Sequence, residues 1–420
     1  MKKIIFIAFY FNQTNEIASK RLQGLAKYLP QFGWEPIVIV PKINNIPLTN
    51  FNTRIVETDY EDMLDKFLPK KIHNKKNTQD TQDNNQSSFK NKAISIAGEL
   101  FAYPDGMKYW YKPAISKSKE VIETENIQGI ISSSFPITAH IIAHDLKKQY
   151  DIPWIADLRD LWNLNPYISH NFIRSYFEKR LEKKTFENAN VLTTTTKIAC
   201  ETLKTLHPKK KIVSIVSGYD PEDFKKIEFN KNSDKLRFMY AGSLYNGKRD
   251  PSLLFEAISQ LINEKKINPS KIAIDFYGDK YNLLELSKKY NLESVVNING
   301  KIPHSDVLKK QMESDVLLLI SWMNKKEKMF IPGKIYEYIG SKKPILSIGY
   351  EKGSLKDLIQ ETNLGYHVSN LKDTKIAIFN YYKDYIKNNK VKYLANEKVS
   401  EYSMINTAKN FGKLLNEENK

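Results

Sequence analysis

Four segments hold the side chains whose types and spacing suit chemistry. Residues 237–243 read Arg-Phe-Met-Tyr-Ala-Gly-Ser, a strand running into a tight turn at Gly242 and Ser243. Gly247-Lys248-Arg249-Asp250 follows, then Pro251, which favours the first turn of a helix. A cation just ahead of a helix start, beside free backbone amides, suits a diphosphate. In FIPGKIYEYIGSKKPIL (330–346), Pro332-Gly333 turn the chain, and Lys334 and Glu337 then share one helical face. The lysine would meet a phosphate and the glutamate would accept from two ribose hydroxyls; a surface salt bridge is the plainer alternative. WIADLRDLW (154–162) leaves Asp157, Arg159 and Asp160 at the carboxyl end of a strand. Charges at such a place either pair or bind something. They would orient an acceptor hydroxyl or hold one another in an ion network. Lys20-Arg21 follow the first strand in the early turns of a helix, where they are expected to face a ligand.

Other residues set limits on this chemistry. His140 and His144, four apart, share a helical face, but no third ligand accompanies them. One of them is therefore expected to be structural, and His140 is kept as a candidate acceptor contact. No metal site is expected. No Gly-x-Gly-x-x-Gly follows the first strand, which argues against an NAD or FAD enzyme. No Asp-x-Asp occurs in the chain.

The elements that must position these groups alternate between short apolar strands and amphipathic helices, the pattern of an α/β protein with parallel sheets. In the first half, strands are expected at 3–9, 35–40, 129–133, 154–158 and 190–194, with helices at 15–29, 137–148 and 172–186. The rhythm restarts with strands at 236–240, 272–277, 295–298, 316–319 and 344–347, and helices at 251–264 and 335–340. A tail helix is expected at 404–415. Two Rossmann-like units would face a cleft at the carboxyl ends of their strands. The boundaries read as 1–205, 206–395 and a terminal helix in 396–420 that packs back on the first unit.

The chain has 420 residues, of which 41% are hydrophobic and 12% aromatic, enough for packed cores and too apolar for disorder. Its single cysteine, Cys200, excludes an internal disulfide and points to a reduced compartment. MKKIIFIAFYF is β-branched and aromatic, ends in Asn-Gln and reads as a buried strand rather than a signal peptide. No run approaches the ~18 apolar residues of a membrane span. The formal charge of +17 favours anionic partners, yet the basic residues are dispersed and carry no nucleic-acid motif. Nucleic acid is therefore not an expected partner. Residues 73–88 contain no large apolar side chain and read as a mobile insertion. With lysines and a few apolar residues around it, the stretch 70–92 suits peripheral contact with an anionic membrane.

The ordered pieces ASKRLQGLAKYLPQFGWEPIVIV, FAYPDGMKYW, SSSFPITAH, WIADLRDLW, IVSGYDPEDF, YAGSLYNGKRDPSLLFEAI, GKIPHSDVLKKQMESDVLLL and PGKIYEYIGSKKPIL resemble glycosyltransferase family 4 of the GT-B fold. This is a retaining group acting in capsule, lipopolysaccharide and exopolysaccharide synthesis. The resemblance covers nearly the whole chain. It implies that Arg249 and Lys334 bind donor phosphates and that Glu337 binds ribose. It also implies that Gly242 and Gly278 flank the nucleotide, and Ser243, next to Gly242, is a further expected donor contact. Arg249, Lys334, Asp157 and Arg159 would be the catalytic set, and Lys20, Arg21, His140, Asp157 and Asp160 would line the acceptor site. Two departures stand out: the first glutamate of the family's Glu-x7-Glu falls on Met329, and the Asn-Gly-x-Asp turn reads Ser217-Gly218-Tyr219-Asp220.

The implied reaction is hexosyl transfer from a UDP- or GDP-sugar to a glycan or lipid-linked oligosaccharide, without metal or other cofactor. Its place would be the cytoplasm or the inner face of the cytoplasmic membrane. A nucleotide-sugar 2-epimerase and a non-catalytic subunit of the same fold are the alternatives.

Overall fold

The computed structural model describes residues 1–12, 17–43, 52–60, 103–225, 227–229 and 234–420. The basic stretch 70–92 singled out above lies outside them. Two compact units emerge. One comprises residues 1–195, 200–215 and 408–420; the other comprises 196–199 and 216–407.

The first unit is built on seven parallel strands: β1 (Lys2–Ile7), β2 (Trp34–Pro41), β3 (Arg54–Thr58), β4 (Ile127–Ser133), β5 (Trp154–Leu158), β6 (Val191–Thr194) and β7 (Lys211–Ser214). Their order is β3-β2-β1-β4-β5-β6-β7. β1 lies near the middle of the sheet, and Ile4, Ile5, Phe6 and Ile7 are fully buried. A strand covered on both faces needs an unbroken apolar run, and the N-terminal sequence supplies one.

The second unit carries β8 (Leu236–Gly242), β9 (Ile272–Gly278), β10 (Val296–Asn299), β11 (Val316–Ile320), β12 (Ile345–Ile348) and β13 (Gly365–Val368), in the order β10-β9-β8-β11-β12-β13. All the pairings are parallel. Strand order reverses at β8, which has β9 on one side and β11 on the other. Ligands of open parallel sheets bind beyond the carboxyl ends of strands at such a reversal, because loops leave the two neighbouring strands in opposite directions and open a crevice. β8 ends at Gly242.

The last helix, Met404–Glu418, is shared in sequence between the units, its residues from Ala408 onward belonging to the first. There the Phe411 ring meets the Arg21 guanidinium at 5.3 Å, and Glu417 and Glu418 pair with Lys211 at 3.1 and 2.8 Å. The expected return of the terminal helix to the first unit is thus observed. Among the described residues no helix is long and apolar enough to cross a membrane.

Candidate functional site

The second unit assembles a cation site at the end of β8. Gly242 and Gly278 face each other across β8 and β9, with φ of 128° and 113°, a region that L side chains rarely enter. Space adds to this, through a movable side chain at Gly242 and through backbone at Gly278. A Cβ on Gly242 would overlap Lys334 Nζ, and one on Gly278 would approach the Gly242 carbonyl oxygen to 2.9 Å. The turn that follows is tied by Asp279, whose carboxylate accepts from the Ser243 hydroxyl (3.1 Å), Leu244 N (3.2 Å) and Tyr281 N (2.9 Å). The backbone NH groups of Gly247 and Arg249 both donate to the Leu244 carbonyl at 3.1 Å. This folds the loop back so that Arg249 arrives just ahead of the helix Ser252–Asn263.

Two cations meet at Tyr240. Lys334 Nζ lies 4.2 Å from the centre of its ring, and Arg249 hydrogen-bonds its hydroxyl. The hydroxyl also donates to the Ser243 carbonyl at 2.7 Å. Arg249 in turn stacks on Tyr245 at 4.3 Å and lines a cavity of about 280 Å³ together with Asn246, Ser252 and Tyr281. Lys334 sits at the start of the helix Lys334–Gly340. Its ammonium is buried and, among the described residues, finds no hydrogen-bond partner. Burial first, and then the charge of Arg249, bring its pKa down to about 7, against the opposite pull of Glu337. A buried ammonium without an acceptor is costly unless an anion completes it.

Glu337 follows Lys334 by three residues on the same helix. Its carboxylate accepts from His304 Nε2 at 2.9 Å and from Gln311 Nε2 at 3.4 Å. The structure therefore brings Gly242, Ser243, Gly278, Arg249 and Lys334 into one neighbourhood, with Glu337 one helical turn on. Tyr240, Asp279, His304 and Gln311 escaped the sequence reading. Tyr240 looks like an ordinary strand aromatic. Asp279 directly follows Gly278, a spacing that could have singled it out.

The first unit treats its candidates differently. Asp157 is fully buried, and Arg21 is 2% exposed. Arg21 grips the carboxylate through two bonds of 2.9 and 3.0 Å and also donates to the Ile215 carbonyl at 2.9 Å. The Thr193 hydroxyl adds a bond to Asp157 at 2.8 Å. Burial pushes the Asp157 carboxyl up, but the Arg21 charge and its bonds outweigh this and hold it below the usual range. The expectation that Asp157 and Arg21 face an acceptor is corrected: of the two readings left open for Asp157, the ion network is the one found. His140 is also corrected. It is fully buried, its Nδ1 bonded to the Ser132 hydroxyl at 2.7 Å, and burial lowers its pKa to about 3. His144 bonds instead to the Thr185 carbonyl at 2.8 Å. Arg159 and Asp160 remain partly exposed beyond β5, as does Lys20 on the helix Ile17–Tyr28. Arg159 donates to the Ser134 carbonyl at 3.0 and 2.8 Å. Among the described residues, no group of three or more His, Cys, Asp or Glu is placed to hold a metal ion.

Gly242→Ala tests the close approach directly. It should displace Lys334 and, at this positive φ, destabilise the fold by about 1–3 kcal/mol in urea denaturation. Unchanged stability would show that the glycine is dispensable.

No family model matches the chain, and no curated protein matches it in sequence. Solved structures do match it in fold. A sucrose-phosphate synthase from Thermosynechococcus elongatus aligns with TM-score 0.63 at 13% identity, over 99% of this chain and 99% of that one. Anabaena HepE in complex with UDP aligns with TM-score 0.61 at 11% identity, over 99% and 100%, and the same protein has been solved with UDP-glucose. A UDP-N-acetylglucosamine 2-epimerase from Listeria monocytogenes aligns with TM-score 0.53 at 13% identity, over 98% and 95%. At these identities the likeness establishes the fold: two Rossmann-like parallel-sheet units of seven and six strands, the architecture of GT-B glycosyltransferases.

Proposed function

We propose that this chain is a glycosyltransferase that binds a nucleoside diphosphate sugar at the end of β8 and transfers the sugar, with retention, to a glycan or lipid-linked acceptor. The observation that carries the reading is the Lys334 ammonium: buried, next to Arg249 and, among the described residues, without an acceptor. A donor pyrophosphate would supply the missing negative partner to both cations. The UDP and UDP-glucose complexes of HepE support a donor of this class.

In the proposed reaction the bond between the anomeric carbon and the β-phosphate oxygen breaks. The acceptor oxygen bonds to that carbon on the same face, and its proton passes to the departing phosphate. Charge grows on the phosphate oxygens as the bond breaks, so cations already fixed there stabilise the transition state more than the ground state. Glu337, bonded to His304 and Gln311, would accept from ribose hydroxyls. Lys20, Arg159 and Asp160 are the first-unit side chains proposed for the acceptor. Polysaccharide or lipopolysaccharide assembly is the proposed context, with UDP or GDP as the donor nucleoside diphosphate.

The test pairs a thermal-shift screen of UDP- and GDP-sugars with turnover of the best stabiliser by wild type and Arg249→Ala. Wild type should release nucleoside diphosphate only when acceptor is present, and Arg249→Ala should be slower by about 10²-fold, the effect of removing one preorganised charge contact. Equal turnover by the two proteins would sink the mechanism. Conversion of the donor to an epimer with no acceptor present would assign the epimerase reading.

A further inference from the structure

The helix Phe172–Phe186 is folded inside out for a protein surface. Its charged residues Arg174, Glu178 and Glu182 are buried, whereas Phe172 is 86% exposed, Ile173 64%, Tyr176 56% and Phe177 51%. Apart from Phe186 at its C-terminal end, which is fully buried, the inward face is satisfied by ion pairs and hydrogen bonds. Arg174 pairs with Glu178 at 3.3 Å, and Glu178 accepts from Trp162 Nε1 at 2.6 Å. Glu182 accepts from Asn163 N at 3.1 Å and pairs with His207 at 3.1 Å. Asn171 caps the helix through Arg174 N at 2.9 Å. These bonds fix the rotation of the helix and so force the aromatic residues outward.

The charge pattern follows the same division. Lys179, Arg180, Lys183 and Lys184 are exposed on the outer face, while the helix's acidic side chains, Glu178 and Glu182, are turned in. The patch joins bulky aromatics at one end of the helix to four exposed cations at the other, and its apolar part is poorly suited to water. It matches an anionic bilayer surface, where aromatic rings settle at the headgroup level and long basic side chains reach the phosphates. A neutral apolar partner would leave the cations without partners, and the net charge of +17 draws the whole chain to the same kind of surface.

We propose that the outer face of Phe172–Phe186 docks the protein on an anionic lipid surface, with Phe172, Ile173, Tyr176 and Phe177 inserted among the headgroups and the four cations on lipid phosphates. The proposal is independent of the transferase reading and assigns the contact to a segment other than 70–92.

The experiment is co-sedimentation of the full chain with vesicles of phosphatidylcholine alone and of phosphatidylcholine with phosphatidylglycerol. Binding is expected only to the anionic vesicles and should weaken at high salt. Phe172→Ser/Phe177→Ser and Lys183→Glu/Lys184→Glu should each lower the partition coefficient roughly tenfold or more. Leu284→Ser and Lys288→Glu/Lys289→Glu, matched exposed changes on the other unit, should leave it unaltered. Circular dichroism and thermal melting confirm that each variant is folded. Failure to bind anionic vesicles, or undiminished binding by the helix variants, would overturn the proposal. So would a concentration-dependent dimer abolished by Phe172→Ser/Phe177→Ser, because that result would give the face to a second copy of the chain.

Discussion

Lys334→Met should bind a nucleoside diphosphate about 100-fold more weakly than wild type, and its apo form should melt at a higher temperature. Both effects have one cause. The ammonium is buried, finds no acceptor among the described residues and faces Arg249, so the empty protein carries a cost that an anion or loss of the proton removes. Methionine is similar in length and has no charge to bury. The expected gain in apo stability is on the order of 2 kcal/mol, and the expected loss in binding is that of a charge-assisted phosphate contact, ~2–3 kcal/mol.

The pH dependence gives a second readout. The Lys334 pKa is lowered to about 7 in the folded protein, well below its ordinary value. Between those two values the unfolded chain holds a proton that the folded chain does not, so the lysine's contribution to stability becomes more favourable as pH rises through that window. Below about pH 7 both states are charged and the full cost of burial remains. Donor affinity runs the other way. An anion selects the protonated amine, so above pH 7 binding requires proton uptake and affinity falls, by at most about tenfold per pH unit for one proton. The Arg249, Glu337 and Tyr240 side chains share the site, and Lys334→Met separates their titration from that of the lysine. Titration calorimetry between pH 6 and 9, in two buffers of different ionisation enthalpy, measures the uptake. A wild type that takes up no proton, or a variant with unchanged affinity, would contradict the assignment.

The second large effect lies in the first unit. Asp157→Ala should destabilise the fold by about 3–5 kcal/mol, because it leaves the Arg21 guanidinium buried without its carboxylate. Arg21→Met/Asp157→Leu should recover most of that loss, since replacing both partners of a buried pair by apolar residues is often close to neutral. Urea denaturation measures both. The double variant also separates the two roles weighed for these residues: a structural pair predicts a folded protein with turnover near wild type, whereas acceptor contacts predict a folded but inactive one. The carboxyl of Asp157 is held below its usual range, so the pair stabilises the fold above pH ~4 and is lost as pH falls through the folded-state value.

The folded chain shows which signals were local. Periods of two and 3.6 residues are properties of neighbouring residues, and they marked the central strands β1, β2, β4, β5, β8, β9, β11 and β12, where burial on both faces demands apolar runs. Three strands were not read: β3 (RIVET), β7 (KIVS) and β13 (GYHV). Each lies at the edge of its sheet and is only partly buried, so its composition carries little of that demand. The same holds for chemistry. Glycines at strand ends and cations at helix starts are short-range patterns, which is why Gly242, Gly278, Arg249 and Lys334 could be chosen from the sequence. Whether a charged residue faces ligand or core is decided by residues far away in the chain. Asp157 read equally as a ligand contact or as a member of an ion network, and only the fold brings Arg21, 136 residues earlier, onto it; Glu337 acquires His304 only in the folded chain. Most clearly, the sequence of Phe172–Phe186 marks a basic helix and nothing more. Its inverted face exists because Trp162, Asn163 and His207 hold its charges inward, and that orientation is a property of the tertiary structure alone.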